Sequence, residues 1–279
     1  MTLIEDRPPV EPVEATVPPH TAADTRRAFL SVLGRDVFVT GRELPSFLAQ
    51  VVLQPLFTLF ILGTVLGSLG YVTGDFGLIL LPGVIALAGF VGALQNTALP
   101  LTLDFSYTRE IEDRLLAPLP MHWVAVEKMV FGAFRGLLSA LLMIPFGYLL
   151  LDDVHLPLAT LPAVLGVCVL GTLLGAAVGM TLGTFVPPHR IEIMFAVILT
   201  PVMFTGATQF PWPALDSLLW FQIVSALNPL TYFSEALRGL TLDGAVPAMP
   251  LWVSLSVLVL TLAAFGAAGV RGFRNRAAD

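Results

Sequence analysis

The chain has 279 residues, 56% hydrophobic and only 12% charged, with a formal net charge of −6. Soluble domains carry about 25% charged residues, and half that supply cannot cover a water-facing surface. A lipid-facing surface needs none, so a soluble enzyme or carrier is excluded and an integral membrane protein is expected. The single cysteine, Cys168, falls in an apolar run and leaves no disulfide framework or thiol-based metal site.

Residues 1–22 are proline-rich and acidic, with Glu5, Asp6, Glu11 and Glu14 against Arg7. They lack the basic-then-apolar order of a signal peptide. Too little apolar surface is available there to offset chain ordering, so a disordered cytoplasmic tail is expected. In residues 24–45, Phe29, Leu30, Leu33, Val37 and Leu44 share one helical face, while Arg27, Arg35 and Arg42 lie elsewhere. That pattern fits an amphipathic helix along the inner membrane surface. A helix packed on a soluble partner fits it as well.

A bilayer core needs about 20 predominantly apolar residues per helix. That window predicts spans at roughly 46–69, 77–102, 127–151, 158–185, 191–209 and 248–270. Arginines gather in alternate loops: Arg26, Arg27, Arg35 and Arg42 before the first span, Arg109 and Arg114 after the second, Arg190 after the fourth. Arg271, Arg274 and Arg276 follow the sixth. The opposite loops GYVTGDF and DDVHLP hold no Lys or Arg, and the segment before span six holds only Arg238. The positive-inside tendency therefore places both termini in the cytoplasm.

Between spans two and three, Tyr107, Ile111 and Leu115 fall four apart, with Leu116 and Leu119 adjoining. Arg109, Glu110, Glu112, Asp113 and Arg114 fill the other faces, and Pro118 and Pro120 end the helix. This is a short charged helix on the cytoplasmic side, either a solvated loop helix or a docking surface for a cytoplasmic partner. In span three, Glu127, Lys128 and Arg135 put charge where it is costly. Arg135, the intramembrane charge, fits an ion pair or snorkelling, or a place on a substrate path.

In span four Gly171, Gly175, Gly179 and Gly183 recur every four residues and form one stripe. Small-residue stripes allow close helix packing in lipid, here within one subunit or between two. Near the end, LNPLTYFSEALRGL opens with Asn228, a favoured N-cap, and Pro229, suited to the first helical position. Glu235 and Arg238 lie one turn apart and can pair. The preceding stretch, Phe210 to Ala226, is apolar with Trp212 and Trp220 suited to headgroup level. Residues 210–240 thus read as an outer re-entrant helical hairpin.

A nucleotide-binding P-loop needs a lysine in G-x-x-x-x-G-K-[ST]. The sole lysine, Lys128, follows Glu127, so that site is absent. His20, His122, His155 and His189 are scattered without metal-ligand spacing. No catalytic constellation appears, so no enzyme activity is expected. Any pumping energy must come from another chain.

LNPLTYFSEALRGL and TREIEDRLLAPLP together resemble the signatures of type-2 ABC transporter permeases, the membrane subunits of bacterial exporters, and most nearly the daunorubicin-resistance branch. Asn228, Pro229, Glu235, Ala236, Leu237, Arg238 and Gly239 fit the first pattern; Arg109, Glu110, Leu115, Leu116, Pro118 and Leu119 fit the second. Ile111-Glu112-Asp113 stands where that family often has glycine after Arg-Glu. The resemblance implies an all-α integral membrane fold: six transmembrane helices, an N-terminal interfacial helix and the outer re-entrant hairpin, over residues 23–279. It implies a permease homodimer or related heterodimer on two copies of a separate ABC ATPase. That ATPase would carry ATP and Mg, with no cofactor bound by this chain. Residues 105–120 would couple to the ATPase through Tyr107, Arg109, Glu110, Glu112, Asp113, Arg114, Leu115 and Leu116. Asn228, Pro229, Glu235 and Arg238 would form the outer gate. A small amphiphilic or hydrophobic cargo, the lipid bilayer of a bacterial inner membrane and no nucleic acid complete the expected partners. An ATP-independent transporter or channel, or a non-transporting assembly protein, are the alternatives that the residues leave open.

Overall fold

The computed structural model describes residues 22–42, 44–71, 76–103, 120–151, 157–187, 190–242, 244 and 246–276. Among these every regular element is helical. We label them α1 (Ala22–Arg42), α2 (Leu44–Leu59), α3 (Phe76–Leu103), α4 (Met121–Leu150), α5 (Leu161–Phe185), α6 (Ile191–Thr205), α7 (Leu219–Ala226), α8 (Pro229–Thr241) and α9 (Leu251–Arg276). A π-helical segment, Phe60–Val65, and one further α-turn, Leu66–Ser68, continue α2.

Among the described residues, four helices are long and apolar enough to cross a membrane: α3, α4, α5 and α9. The 28 residues of α3 extend about 42 Å at 1.5 Å per residue, more than a hydrocarbon core of about 30 Å requires. The two remaining predicted spans take a different form. The first is divided between α2 and the π segment, after Pro55 has removed one backbone donor from α2. The fifth is the 15-residue α6, which contains Pro201 and stops at Thr205 rather than running to residue 209. The third begins earlier than its apolar run, at Met121, directly after Pro120. The sixth continues to Arg276.

Helix α3 is the axis of the bundle, packed against α4 and α5, which also pack on each other, while α9 packs on α5. Glycine sets the spacing. A Cβ at Gly136 of α4 would stand 2.5 Å from the Gly89 carbonyl oxygen of α3, and one at Gly175 of α5 would stand 2.5 Å from the Phe90 carbonyl oxygen. Only hydrogen fits at these crossings. The resulting core runs through Leu80, Val84, Leu87 and Phe90 of α3 with Met143 of α4 and Leu174 of α5.

At the end from which residues 104–119 leave α3, a second cluster gathers Leu101, Val124, Ala125, Met180 and Phe273. Helix α1 joins this end. Its Phe29 ring meets Trp123 of α4 edge-on, with centroids 5.9 Å apart, whereas Leu30, Val37 and Phe38 stay exposed. The apolar face of α1 is therefore divided between protein and surroundings. Nearby, Arg276 Nη1 donates to the carbonyls of Gly183 at 2.8 Å and Thr184 at 3.3 Å, capping the C-terminus of α5. A cation there also complements the negative end of the helix dipole.

Candidate functional site

Helix α8 organises the opposite end. Asn228 caps it: its Oδ1 accepts the Leu230 N–H at 2.9 Å. The same side chain reaches back to α6, where Nδ2 donates to the Val202 carbonyl at 2.7 Å and Thr205 Oγ1 at 2.9 Å. One amide thus closes the start of one helix and the end of another, satisfying groups that would otherwise be orphaned.

Beyond Thr205 the chain is irregular as far as Pro211, and its carbonyls find donors on α7 and α8. Thr205 O accepts from Ser225 Oγ at 2.5 Å and Thr231 Oγ1 at 3.3 Å. Gly206 O accepts from Ser234 Oγ at 2.9 Å. Ala207 O takes Ser234 Oγ at 3.2 Å and Arg238 Nη2 at 3.0 Å. Ala207 itself has φ 49°, a left-handed conformation uncommon outside glycine and held by the structure around it.

Glu235 and Arg238 are both fully buried and pair across one helical turn, Arg238 Nη1 donating to Glu235 Oε1. Each Glu235 oxygen also accepts a backbone N–H: Oε1 from Trp212 at 2.9 Å, Oε2 from Met249 at 2.8 Å. Arg238 Nη2 reaches the Ile79 carbonyl of α3 at 3.4 Å. Two charged side chains therefore join α8 to the 207–212 segment, the entry to α9 and the first turns of α3.

The predicted site residues separate into groups. Asn228, Pro229, Glu235 and Arg238 meet in this hub. Gly171, Gly175, Gly179 and Gly183 line one face of α5 and meet parts of the same chain: Gly171 seats the Phe233 ring of α8, and the next three receive the backbone of α3 at Phe90, Leu94 and Ala98. Arg135 lies in α4, with its guanidinium carbon 5.8 Å from the Phe131 ring centroid, a cation–π contact; Glu127, two turns earlier, is buried. Tyr107, Arg109, Glu110, Glu112, Asp113, Arg114, Leu115 and Leu116 lie outside the described residues.

Sequence spacing alone passes over Ser225, Thr231 and Ala207. The stripe Asn228, Thr231, Ser234–Glu235, Arg238 does carry a signal, since polar residues every three or four positions define one helical face. In an apolar chain that face turns inward. Helix α7 obeys the same inversion, with Gln222 and Ser225 buried and Leu219, Trp220, Ile223 and Leu227 exposed. Among the described residues no group of three or more His, Cys, Asp or Glu could hold a metal ion.

Between α2 and α6 lies an apolar groove of about 760 Å³. Leu53, Phe57 and Ile61 form one wall, Met203 and Phe204 the other, and Leu87 of α3 the floor. Gln54, Thr58 and Gln209 supply its polar groups.

The profile of the ABC-2 type transporter family matches residues 27–242, from the first turns of α1 to just past α8. The chain belongs to that family. Among curated proteins it is 27% identical over 224 residues to the putative transport permease ycf38 of Cyanophora paradoxa, covering 76% of this chain and 73% of that one. It is 25% identical over 237 residues to the inner membrane transport permease YadH of Escherichia coli K12, covering 81% and 90%. The ycf38 protein of Porphyra purpurea is 24% identical over 224 residues, covering 75% and 72%. The groove and the side chains Asn228, Glu235 and Arg238 fall inside the matched region. This ABC-2 chain is thus a membrane transport permease, and its four long apolar helices agree with that assignment.

Proposed function

We propose that the chain is the transmembrane subunit of an ATP-driven exporter that moves an amphiphilic or hydrophobic cargo outward, in the manner of the drug-resistance branch it resembles. The carrying observation is the combination of ABC-2 membership with a sequence that has no P-loop lysine. A pump of this composition draws its energy from a separate ATPase. The charged segment 105–120 leaves α3 and enters α4 at one end of the bundle, and it is the natural place for two ATPase copies to push. Both termini and this segment lie on the cytoplasmic side of a bacterial inner membrane, a side supported by the arginine-rich loops.

In this reading six spans cross the membrane, with α2 and its π continuation as the first and α6 as the fifth. Residues 210–240 re-enter from the outer face without crossing. The exposed apolar face of α7 supports this, because exposed Trp220 and Leu227 belong against hydrocarbon rather than water. Backbone at that depth survives only where protein satisfies it, and the hydroxyls and amide of α7 and α8 do so for residues 202–207. Two permeases face each other, and cargo passes along their interface. The α2–α6 groove, apolar with two glutamines, suits a molecule that is greasy with a few hydrogen-bonding groups.

The test is co-purification of the full chain from its native membrane, followed by transport assays. An ABC ATPase should accompany it, and Glu110→Ala should abolish transport without lowering its abundance. A chain that transports with no ATPase present refutes the proposal.

A further inference from the structure

The hub suggests more than a place for the outer gate. We propose that Glu235 and Arg238 are positioning residues that make the remote end of α3, the 207–212 segment, α8 and the entry to α9 move as one body, so that displacement of α3 at Leu103 reaches the far side. The proposal rests on the ATP-driven reading given above and adds the route by which the outer end is moved.

Three observations carry it. The first is the choice of side chains. A buried ion pair generally gives no more stability than apolar residues of similar volume, and its better-attested use is to fix one arrangement. Here the pair spends its hydrogen bonds on three other segments: the 207–212 stretch through Ala207 and Trp212, the entry to α9 through Met249, and α3 through Ile79. An apolar pair would fill the space and join none of them directionally.

The second is the strained backbone. Ala207 occupies the left-handed region although it is not glycine, and its carbonyl is held by Arg238 and Ser234. A sparsely populated conformation persists only when its surroundings fix it.

The third is the place where α3 is gripped. Pro82 leaves the Leu78 carbonyl without its helical donor and weakens that turn. Arg238 holds Ile79, and the Thr208 backbone lies directly on Gly83, leaving no room for a Cβ there. The clamp sits across the turn that would otherwise bend. From Ile79 to Leu103 runs about 36 Å of helix at 1.5 Å per residue, closely packed on α4 and α5 at Gly136 and Gly175.

The experiment uses the full chain in intact cells, with Cys168→Ala and Ala214→Cys placing one thiol on the exposed turn after Trp212. A membrane-impermeant maleimide reads its accessibility before and after ATP depletion. The parent should label at rates that differ several-fold between the two conditions. Glu235→Gln and Arg238→Lys should label at one rate in both, and hydrogen exchange in lipid nanodiscs should quicken at Trp212 and Met249 while α4 and α5 stay protected. Retention of the full ATP response in both single variants overturns the proposal. So does exchange that quickens throughout α4 and α5, which would make the pair a general prop of the fold. An ATP-blind parent would instead refute the ATP-driven reading and remove the proposal with it.

Discussion

Gly175 of α5 faces the carbonyl oxygen of Phe90 on α3, with room for a hydrogen atom and nothing larger. Backbone meets backbone there, and the contact continues one turn on at Gly179 and Leu94. Gly175→Leu forces these helices apart. Overpacking of this kind costs about 1–3 kcal/mol and occasionally more, so thermal unfolding in mild detergent should occur at a clearly lower temperature. Gly166, on the same helix with open space around it, is the control: Gly166→Ala should leave the midpoint unchanged or raise it slightly.

Asn228 performs two tasks that substitution can separate. Asn228→Asp keeps the acceptor for the Leu230 N–H but loses the donor to the Val202 carbonyl and sets negative charge beside it. Asn228→Ala loses both ends. We expect the alanine variant to lose about 1–3 kcal/mol, combining a missing N-cap with an unsatisfied buried carbonyl. The aspartate variant should keep α8 protected in hydrogen exchange while the last turn of α6 exchanges faster.

Arg276 ties the end of α9 to the last carbonyls of α5. Removing a charged donor from such bonds costs about 1.5–3 kcal/mol in a favourable case. Arg276→Gln should therefore loosen the C-terminal turn of α9, seen as faster proteolysis after residue 270, with little change at the α8 end.

Trp220 tests the membrane depth of α7. The chain contains four tryptophans, Trp123, Trp212, Trp220 and Trp252, so a variant retaining only Trp220 isolates its fluorescence. Reconstituted in bilayers with brominated acyl chains, it should be strongly quenched, and aqueous iodide should quench it weakly. The reverse pattern places α7 in water and removes the re-entrant hairpin.

Much of the architecture is legible in the sequence because long apolar runs are decided by length and hydropathy alone: the expected spans 77–102 and 158–185 fall on the long apolar helices Phe76–Leu103 and Leu161–Phe185. Proline punctuation was equally readable, as at Pro120 and Asn228-Pro229. What hydropathy cannot convey is which polar atoms meet. Thr205, Ala207 and Trp212 acquire partners because α6 stops short of its apolar run, and that stop depends on donors carried by Ser225, Thr231 and Ser234 more than a dozen residues away. The destination of the glycine stripe has the same character. Spacing gives the groove, while the neighbour that fills it is chosen by the packing of α3.

The helix with the highest mean hydropathy of the four long ones, α3, has 78% of its apolar window buried inside the protein, whereas α9 has 17%. Greasiness and exposure at the surface of the chain are therefore uncoupled. Along α3, tolerance to substitution should follow the rules of a soluble protein's interior, where a single methyl group matters. Along the outward face of α9, at Val259 and Leu260 for example, one aliphatic residue should replace another without consequence.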